Sequence, residues 1–292
     1  MRSSPDPADA ASCGRMRDAR YARVLTIAGS DSGGGAGIQA DLKTFAALGC
    51  FGTTAITALT AQNTLGVRAI HAVPAEMLDA QIDAVVEDIG VDAVKIGMLH
   101  SASTVRTVAR AIDRHALARV VLDPVMVATS GATLIDDEAV AVLVSELFPR
   151  ALLVTPNLDE AALLVGRALR TEDDMASAAA QLVASGARAV LLKGGHLAGD
   201  TVSDLLLLPG EGPRWFRSPR IVTANTHGTG CTLSSAIAAR LALGDLLHEA
   251  VQRARDYVRG ALEAGAGVRT GAGSGPLNHA WQPQPMRLFP LS

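Results

Sequence analysis

The sequence predicts an α/β protein with one mainly parallel central sheet and helices on both of its faces. Three observations carry that reading. Short β-type runs alternate with helical patterns from Arg23 to Glu263, as in chains of βαβ units. Glycine-rich turns separate strand from helix at Gly29–Gly37 and Gly228–Gly230, where open α/β sheets bind ligands. The chain has 292 residues, 49% of them hydrophobic, ample for a large core, and it shows no internal repeat.

Residues 1–21 are polar and rich in Ala, Ser and Arg. They lack the apolar run of a secretory signal, and Asp6, Asp9 and Asp18 count against a transit peptide. A disordered tail is expected there, ahead of a single domain over 22–292. Arg23 to Ala28 is a strand pattern that enters Gly29-Ser-Asp-Ser-Gly-Gly-Gly-Ala-Gly37, and a helix follows from Ile38 to Leu48. This is no P-loop, because no Gly-Lys-Ser/Thr follows. Ile38 also stands where a dinucleotide fingerprint needs its third glycine. Asp41, one turn into the helix, can point back at the loop; it equally suits the helix dipole as a first-turn acid.

Thr53 to Gln62 and Val67 to Val73 read as strands joined by Asn63-Thr64-Leu65-Gly66. Gln62 at that end suits a turn residue as well as a ligand contact. Met77 to Ile89 is an amphipathic helix, Val91 to Ile96 a strand ending in Gly97-Met98, and Thr104 to His115 a helix. The strand Arg119 to Leu122 ends in Asp123-Pro124. An acid at the carboxyl end of a parallel strand faces the ligand crevice. A helix over Asp137 to Leu147 and a strand over Ala151 to Val154 lead to Thr155-Pro-Asn-Leu-Asp-Glu160. Asn157 and Glu160 share one face of the next helical turn. They could hold a hydrated Mg²⁺, or form an N-cap with its N3 acid.

Met175 to Ser185 is a helix, and the strand Ala187 to Leu192 ends in Lys193-Gly-Gly-His196. A lysine before two glycines suits a phosphate. Val202 to Leu208 and Pro213 to Ser218 form an expected hairpin. A β-type run, Ile221 to Thr223, then leads into Gly228-Thr229-Gly230, and Leu233, Ile237 and Leu241 mark a helix. Leu246 to Glu263 is the last helix, before a glycine-rich tail.

The turn at Gly228 organises the rest. Glycines at a helix start leave N–H groups aimed at one point, and the helix dipole adds positive potential. Cys231 sits at that terminus, where a thiol pKa is expected to fall, and a thiolate there could take a proton from a substrate hydroxyl. A glycine turn capping a buried helix, with Cys231 as a small core residue, fits the stretch equally well. The net charge of −3 suggests no polyanion partner, and 3% aromatics supply no stacking platform for nucleic acid. Cys13, Cys50 and Cys231 show neither metal spacing nor a disulfide framework, so a reducing cytoplasm is expected. No apolar run reaches the length of a membrane span.

Each motif is weak alone, but their order is specific. The first glycine loop with Asp41, Thr-Ala-Gln-Asn-Thr64, Lys-Ile-Gly-Met98, Leu-Asp-Pro-Val-Met126, Thr-Pro-Asn-Leu-Asp-Glu160, Lys-Gly-Gly-His196, Asn-Thr-His-Gly-Thr-Gly-Cys231 and Gly-Ser-Gly-Pro-Leu-Asn-His-Ala-Trp281 together resemble the hydroxymethylpyrimidine/phosphomethylpyrimidine kinase family of thiamine biosynthesis. That family is ribokinase-like. The resemblance spans about Arg23 to Ala280. It implies one domain with a small β-flap or lid, a homodimer, and two ATP- and Mg²⁺-dependent phosphorylations of 4-amino-5-hydroxymethyl-2-methylpyrimidine. It implies a pyrimidine site at Gln62 with Gly29, Asp41 and Met98. It implies an anion hole over Gly228, Thr229, Gly230 and Cys231, with Cys231 as the base. Asn157, Glu160 and Asp123 would serve Mg²⁺ and phosphate; Lys193, Thr223 and Asn225 would meet the nucleotide. The family commonly carries a lysine after Asp-Pro-Val-Met, where this chain has Ala128-Thr129-Ser130-Gly131. The rival readings are a cysteine-type pyridoxal kinase and a non-catalytic ligand-binding module on the same fold.

Overall fold

The computed structural model describes residues 19–126, 135 and 137–291. In chain order its elements are β1 (Ala19–Tyr21), β2 (Arg23–Asp31), α1 (Gly37–Ala47), β3 (Phe51–Asn63), β4 (Gly66–Ala72), α2 (Ala75–Asp88), β5 (Ala93–Ile96), α3 (Ala102–Arg114), β6 (Val120–Leu122) and α4 (Asp137–Leu147). Then come β7 (Leu153–Val154), α5 (Leu158–Val165), α6 (Glu172–Ala184), β8 (Val190–Leu192), β9 (Thr201–Leu207), β10 (Arg214–Pro219), α7 (Thr229–Ala242), α8 (Leu247–Gly265) and β11 (Leu288–Pro290).

Among the described residues, nine strands form one sheet in the order β10-β9-β8-β7-β6-β5-β2-β3-β4. Its centre, from β3 through β8, is parallel, and antiparallel hairpins close both edges. The central strands are short and apolar because both faces are covered. Val120 and Leu122 pack into one layer with Leu78, Val105, Leu143 and Leu182. Val121 points to the other layer, with Phe45, Ile237 and Val251. That period of two puts α2 through α6 on one face and α1, α7 and α8 on the other. The carboxyl ends of β2, β5, β6, β7 and β8 therefore open at one rim; Asp31 closes β2 there, and Met98, Asp123, Asn157 and Lys193 follow the other ends.

Three local expectations change. Ile221 to Thr223 forms no strand, and Val222 is 93% exposed. The run joins no ladder, and Asn225 just beyond it ties the chain to Gly265 and Val268. The last three residues of the expected tail pair with Leu288–Pro290 as a separate two-stranded sheet; no local pattern could announce a partner at the other end of the chain. The glycine-rich tail packs back on the domain: Trp281 lies on Gly260, and Tyr257 donates to His279 O at 2.6 Å. The stretch Ala128 to Gly131, and residues 1–18 of the expected tail, lie outside the described residues. Among the described residues, no helix is long and apolar enough to cross a membrane.

Candidate active site

Two glycine loops meet at the rim. In the first, the buried Asp31 carboxylate accepts N–H bonds from Gly33, Gly35 and Ala36 at 2.8, 3.1 and 2.9 Å, folding the loop around itself. In the second, Gly228 begins α7 at φ 80°. That left-handed backbone favours glycine, and a Cβ there would strike the Gly35 carbonyl. His227 joins the loops, its Nε2 lying 2.9 Å from Asp31 Oδ2. Without a side-chain cap on α7, the N–H end of that helix opens into a cleft of about 800 Å³. Gly228, Thr229, Gly230 and Cys231 all line it.

Two lysine–carboxylate pairs lie under α7. Ser235 donates to Asp41 at 2.6 Å; Asp41 also accepts from Thr26 at 2.6 Å and from Lys95 at 2.9 and 3.0 Å. Neither Asp41 nor Lys95 has any exposed side-chain surface. Burial alone would lower the Lys95 ammonium pKa; the Asp41 charge reverses that and holds it above the usual range. Ser234, one residue earlier, donates to Asp123 at 3.3 Å, and Asp123 accepts from Lys193 at 2.7 Å and Thr155 at 3.0 Å. Burial would raise the Asp123 pKa, but Lys193 and Lys95 pull it below the usual carboxylate range. Lys193 keeps 12% of its side chain exposed, and both Lys193 and Asp123 line the cleft.

Asn157 and Glu160 make a full capping box at the start of α5, with bonds of 2.9 and 2.7 Å. They also line the cleft, so the cap and the cleft position coexist. Glu160 lies 3.9 Å from Lys193. Its carboxyl is pushed up to about 7 by burial, with Lys193 opposing and Asp123 reinforcing the rise. Cys231 departs from expectation in the same sense. The helix terminus argues for a lowered thiol pKa, yet burial outweighs it and pushes the thiol up to about 11. Lys95 pulls that value down, while Asp41 and Asp123 push it up.

The other predicted residues divide. Gln62 lines the cleft, with Thr60 Oγ1 at 3.1 Å and His227 Nε2 at 3.5 Å. Met98 and Gly29 line it together; a Cβ on Gly29 would come within 2.6 Å of Met98 Cε. Asp41 lies beneath the cleft lining, sealed by its own bonds. Thr223 and Asn225 are also outside the lining: Asn225 donates to Gly265 O and Val268 O, both at 2.6 Å, and Thr223 accepts from Asn225 N–H at 3.0 Å. The sequence reading missed Lys95, Asp31 and His227, and the arginines Arg217, Arg220, Arg255 and Arg259 that line the far end of the cleft. Lys95 had a signal: a lysine inside the apolar run Ala-Val-Lys-Ile96 of a central strand is costly unless paired. No group of three or more His, Cys, Asp or Glu side chains placed to hold a metal occurs among the described residues.

Comparison with known proteins agrees with this geometry. The phosphomethylpyrimidine kinase family profile matches residues 31–278. The hydroxymethylpyrimidine/phosphomethylpyrimidine kinase of Rhizobium meliloti is 53% identical over 259 residues, covering 88% of this chain and 96% of that protein. The thiamine biosynthesis bifunctional protein ThiED of Geobacter sulfurreducens is 53% identical over 283 residues; the match takes in 95% of this chain but spans 57% of the relative's length. Among solved structures, the Bacillus subtilis pyridoxal kinase in its ADP complex superposes with a TM-score of 0.84 at 37% identity, covering 90% of this chain and 98% of that one. The Clostridium difficile phosphomethylpyrimidine kinase gives 0.73 at 41% identity, over 82% and 99%. The fold is thus the ribokinase-like fold of these kinases, and the chain belongs to the phosphomethylpyrimidine kinase family.

Proposed function

We propose that this protein is an ATP-dependent kinase that phosphorylates 4-amino-5-hydroxymethyl-2-methylpyrimidine and then its monophosphate, yielding the diphosphate for thiamine biosynthesis. One observation carries the reading: a single cleft is lined by Gln62, the open end of α7, Cys231 and the Lys193–Asp123 pair. Gln62 offers a donor and an acceptor to an aminopyrimidine edge. The α7 N–H groups face the phosphoryl oxygens as charge develops, and Lys193 adds a cation beside them. The arginines at the far end suit the rest of the nucleotide.

Magnesium would neutralise phosphate charge when bound. Glu160, Asp123 and Asn157 fit a largely hydrated ion, which needs only one or two carboxylates. A homodimer in the cytoplasm is part of the same reading, supported by the family resemblance. Phosphoryl transfer needs mostly positioning and charge stabilisation from the protein. In the first step the attacking group is a primary alcohol, and Cys231 receives its proton. A thiol at about 11 is protonated in the free protein, so few molecules carry the thiolate, but that thiolate is a strong base, and Lys95 is the charge that favours it. In the second step the attacking phosphate oxygen is already ionised and needs no base.

The test is substrate-dependent ATP consumption with hydroxymethylpyrimidine, its monophosphate and pyridoxal in parallel. Turnover of both pyrimidines is expected; turnover of pyridoxal alone supports the rival vitamin kinase, and ATP binding without turnover supports the binding module. Cys231→Ala should slow phosphorylation of the alcohol about 10²–10⁴-fold and spare the monophosphate relatively. Equal losses on both would remove Cys231 from the base role.

A further inference from the structure

Gln62 is held more tightly than a ligand-reading side chain at a strand end requires. The register of β3 on β4 shifts between Ala61 and Gln62, and such a bulge re-aims the side chain that follows it. The Ser32 hydroxyl pins the backbone there, accepting from Gln62 N–H and donating to Gln62 O, both at 2.8 Å. The carboxamide then lies between two polar neighbours. Its Nε2 is 3.5 Å from His227 Nε2, and its Oε1 is 3.1 Å from Thr60 Oγ1. The two orientations of a carboxamide have nearly the same shape, so the protons of its neighbours choose between them.

Both neighbours choose the reverse orientation. Thr60 Oγ1 lies 2.9 Å from the Ser30 carbonyl, which can only accept. A hydroxyl has one proton, so Thr60 meets Gln62 as an acceptor and calls for the NH₂ end. His227 Nε2 lies 2.9 Å from the Asp31 carboxylate. Burial would raise the Asp31 pKa, but the bonds from His227, Ala36 and Gly33 outweigh it and keep the carboxyl below its usual range. An ionised carboxylate only accepts, so His227 Nε2 carries the proton and spends it on Asp31; with no lone pair left to accept from the NH₂ end at 3.5 Å, it favours the amide oxygen there. The ring cannot easily turn away: it packs on Gly35, and its backbone N–H is tied to Gly275 O at 3.1 Å.

We infer that Asp31 and His227, acting opposite Thr60, lock the Gln62 carboxamide with its oxygen toward His227 and its NH₂ toward Thr60. The locked amide makes the site specific for a ring edge that places an exocyclic amino donor beside a ring-nitrogen acceptor. His227 and Asp31 are positioning residues in this scheme. The inference rests on the proposed role of Gln62 in reading the pyrimidine. A 4-aminopyrimidine matches the locked amide: its amino group donates to the oxygen, and its ring nitrogen accepts from the NH₂. The 4-oxo analogue in its lactam form presents the opposite order, an N–H donor beside a carbonyl. It would need the amide turned, placing two donors face to face at His227.

The experiment measures kcat/KM for 4-amino-5-hydroxymethyl-2-methylpyrimidine and for its 4-oxo analogue, with the KM for ATP as a control. Wild type should favour the amino compound strongly. His227→Phe keeps a ring against Gly35 but supplies no N–H. It should shrink the amino-over-oxo preference by roughly tenfold or more, as one hydrogen-bond mismatch is worth, mainly through KM for the pyrimidine. His227→Gln, which restores an N–H, should recover most of the preference. Thr60→Val acts on the other end of the amide and should shrink the preference in the same way, so the idea stays testable if His227→Phe does not fold. An undiminished preference in His227→Phe or Thr60→Val overturns the inference, as do equal losses on both compounds. A wild-type protein that turns over no pyrimidine overturns the proposed function itself, whereas turnover with an unchanged preference in the variants overturns this inference alone.

Discussion

The two lysine–carboxylate pairs beneath α7 are built from the same groups and differ in what surrounds them. Lys95–Asp41 is sealed, with 0% exposure on both side chains, under Ser235. Lys193–Asp123 sits one residue along the same helix, under Ser234, with the lysine reaching the cleft. A pair with no exposed side-chain surface can only hold the structure or set a potential, even though Lys95 backs the cleft wall. A pair at the cleft wall can exchange its partner for a phosphate. Lys95 and Asp41 of the first pair and Asp123 of the second all act on the Cys231 thiol.

The largest effect should come from breaking the sealed pair. Asp41→Ala leaves the Lys95 ammonium buried without its counter-charge, which should cost about 3–5 kcal/mol of stability. Denaturant midpoints would measure it, and adding Lys95→Met to the same chain should recover much of the loss. A marginal loss in the single variant would mean that water reaches Lys95 and that the pair is not sealed. Breaking the cleft pair should invert the pattern. Lys193→Met should lower kcat about 10²–10³-fold, the usual worth of one preorganised donor. Its stability loss should be smaller, because Asp123 keeps Thr155 and Ser234. A variant that melts early yet retains turnover would make Lys193 a structural residue.

The smallest effect concerns the thiol on which both pairs act. Alkylation needs the thiolate, so Cys231 in the free protein should react slowly near neutral pH. Its rate should still be rising with pH beyond 9, toward a midpoint near 11. Asp123 is one of the charges that raise that midpoint, so Asp123→Asn should move the profile to lower pH. Peptide-resolved mass spectrometry would follow Cys231 separately from Cys50, itself buried and pushed up to about 12. A midpoint below 9 would restore the activated thiol that the helix terminus alone suggests.

The capping box shows why part of the site was legible in advance. Asn157 and Glu160 are close in sequence and sit on one helical turn, so spacing alone put them together. The same holds for Gly228 to Cys231. Lys95 carried a readable warning because a lysine in an apolar central strand demands a partner. Nothing local named that partner as Asp41, 54 positions away. Asp31 and His227 are 196 positions apart, and they meet because β2 ends and α7 begins at the same rim.

The alternation of β-type runs with helical patterns and the glycine turns therefore determined the layers, the rim and the loops, since those depend on the near-neighbour geometry of the chain. Burial belonged to the tertiary structure, and burial decided the chemistry. It placed Asp41 below the cleft and kept Asp123 in its wall. At Cys231, burial with the Asp41 and Asp123 charges raises the thiol where the helix terminus alone would lower it.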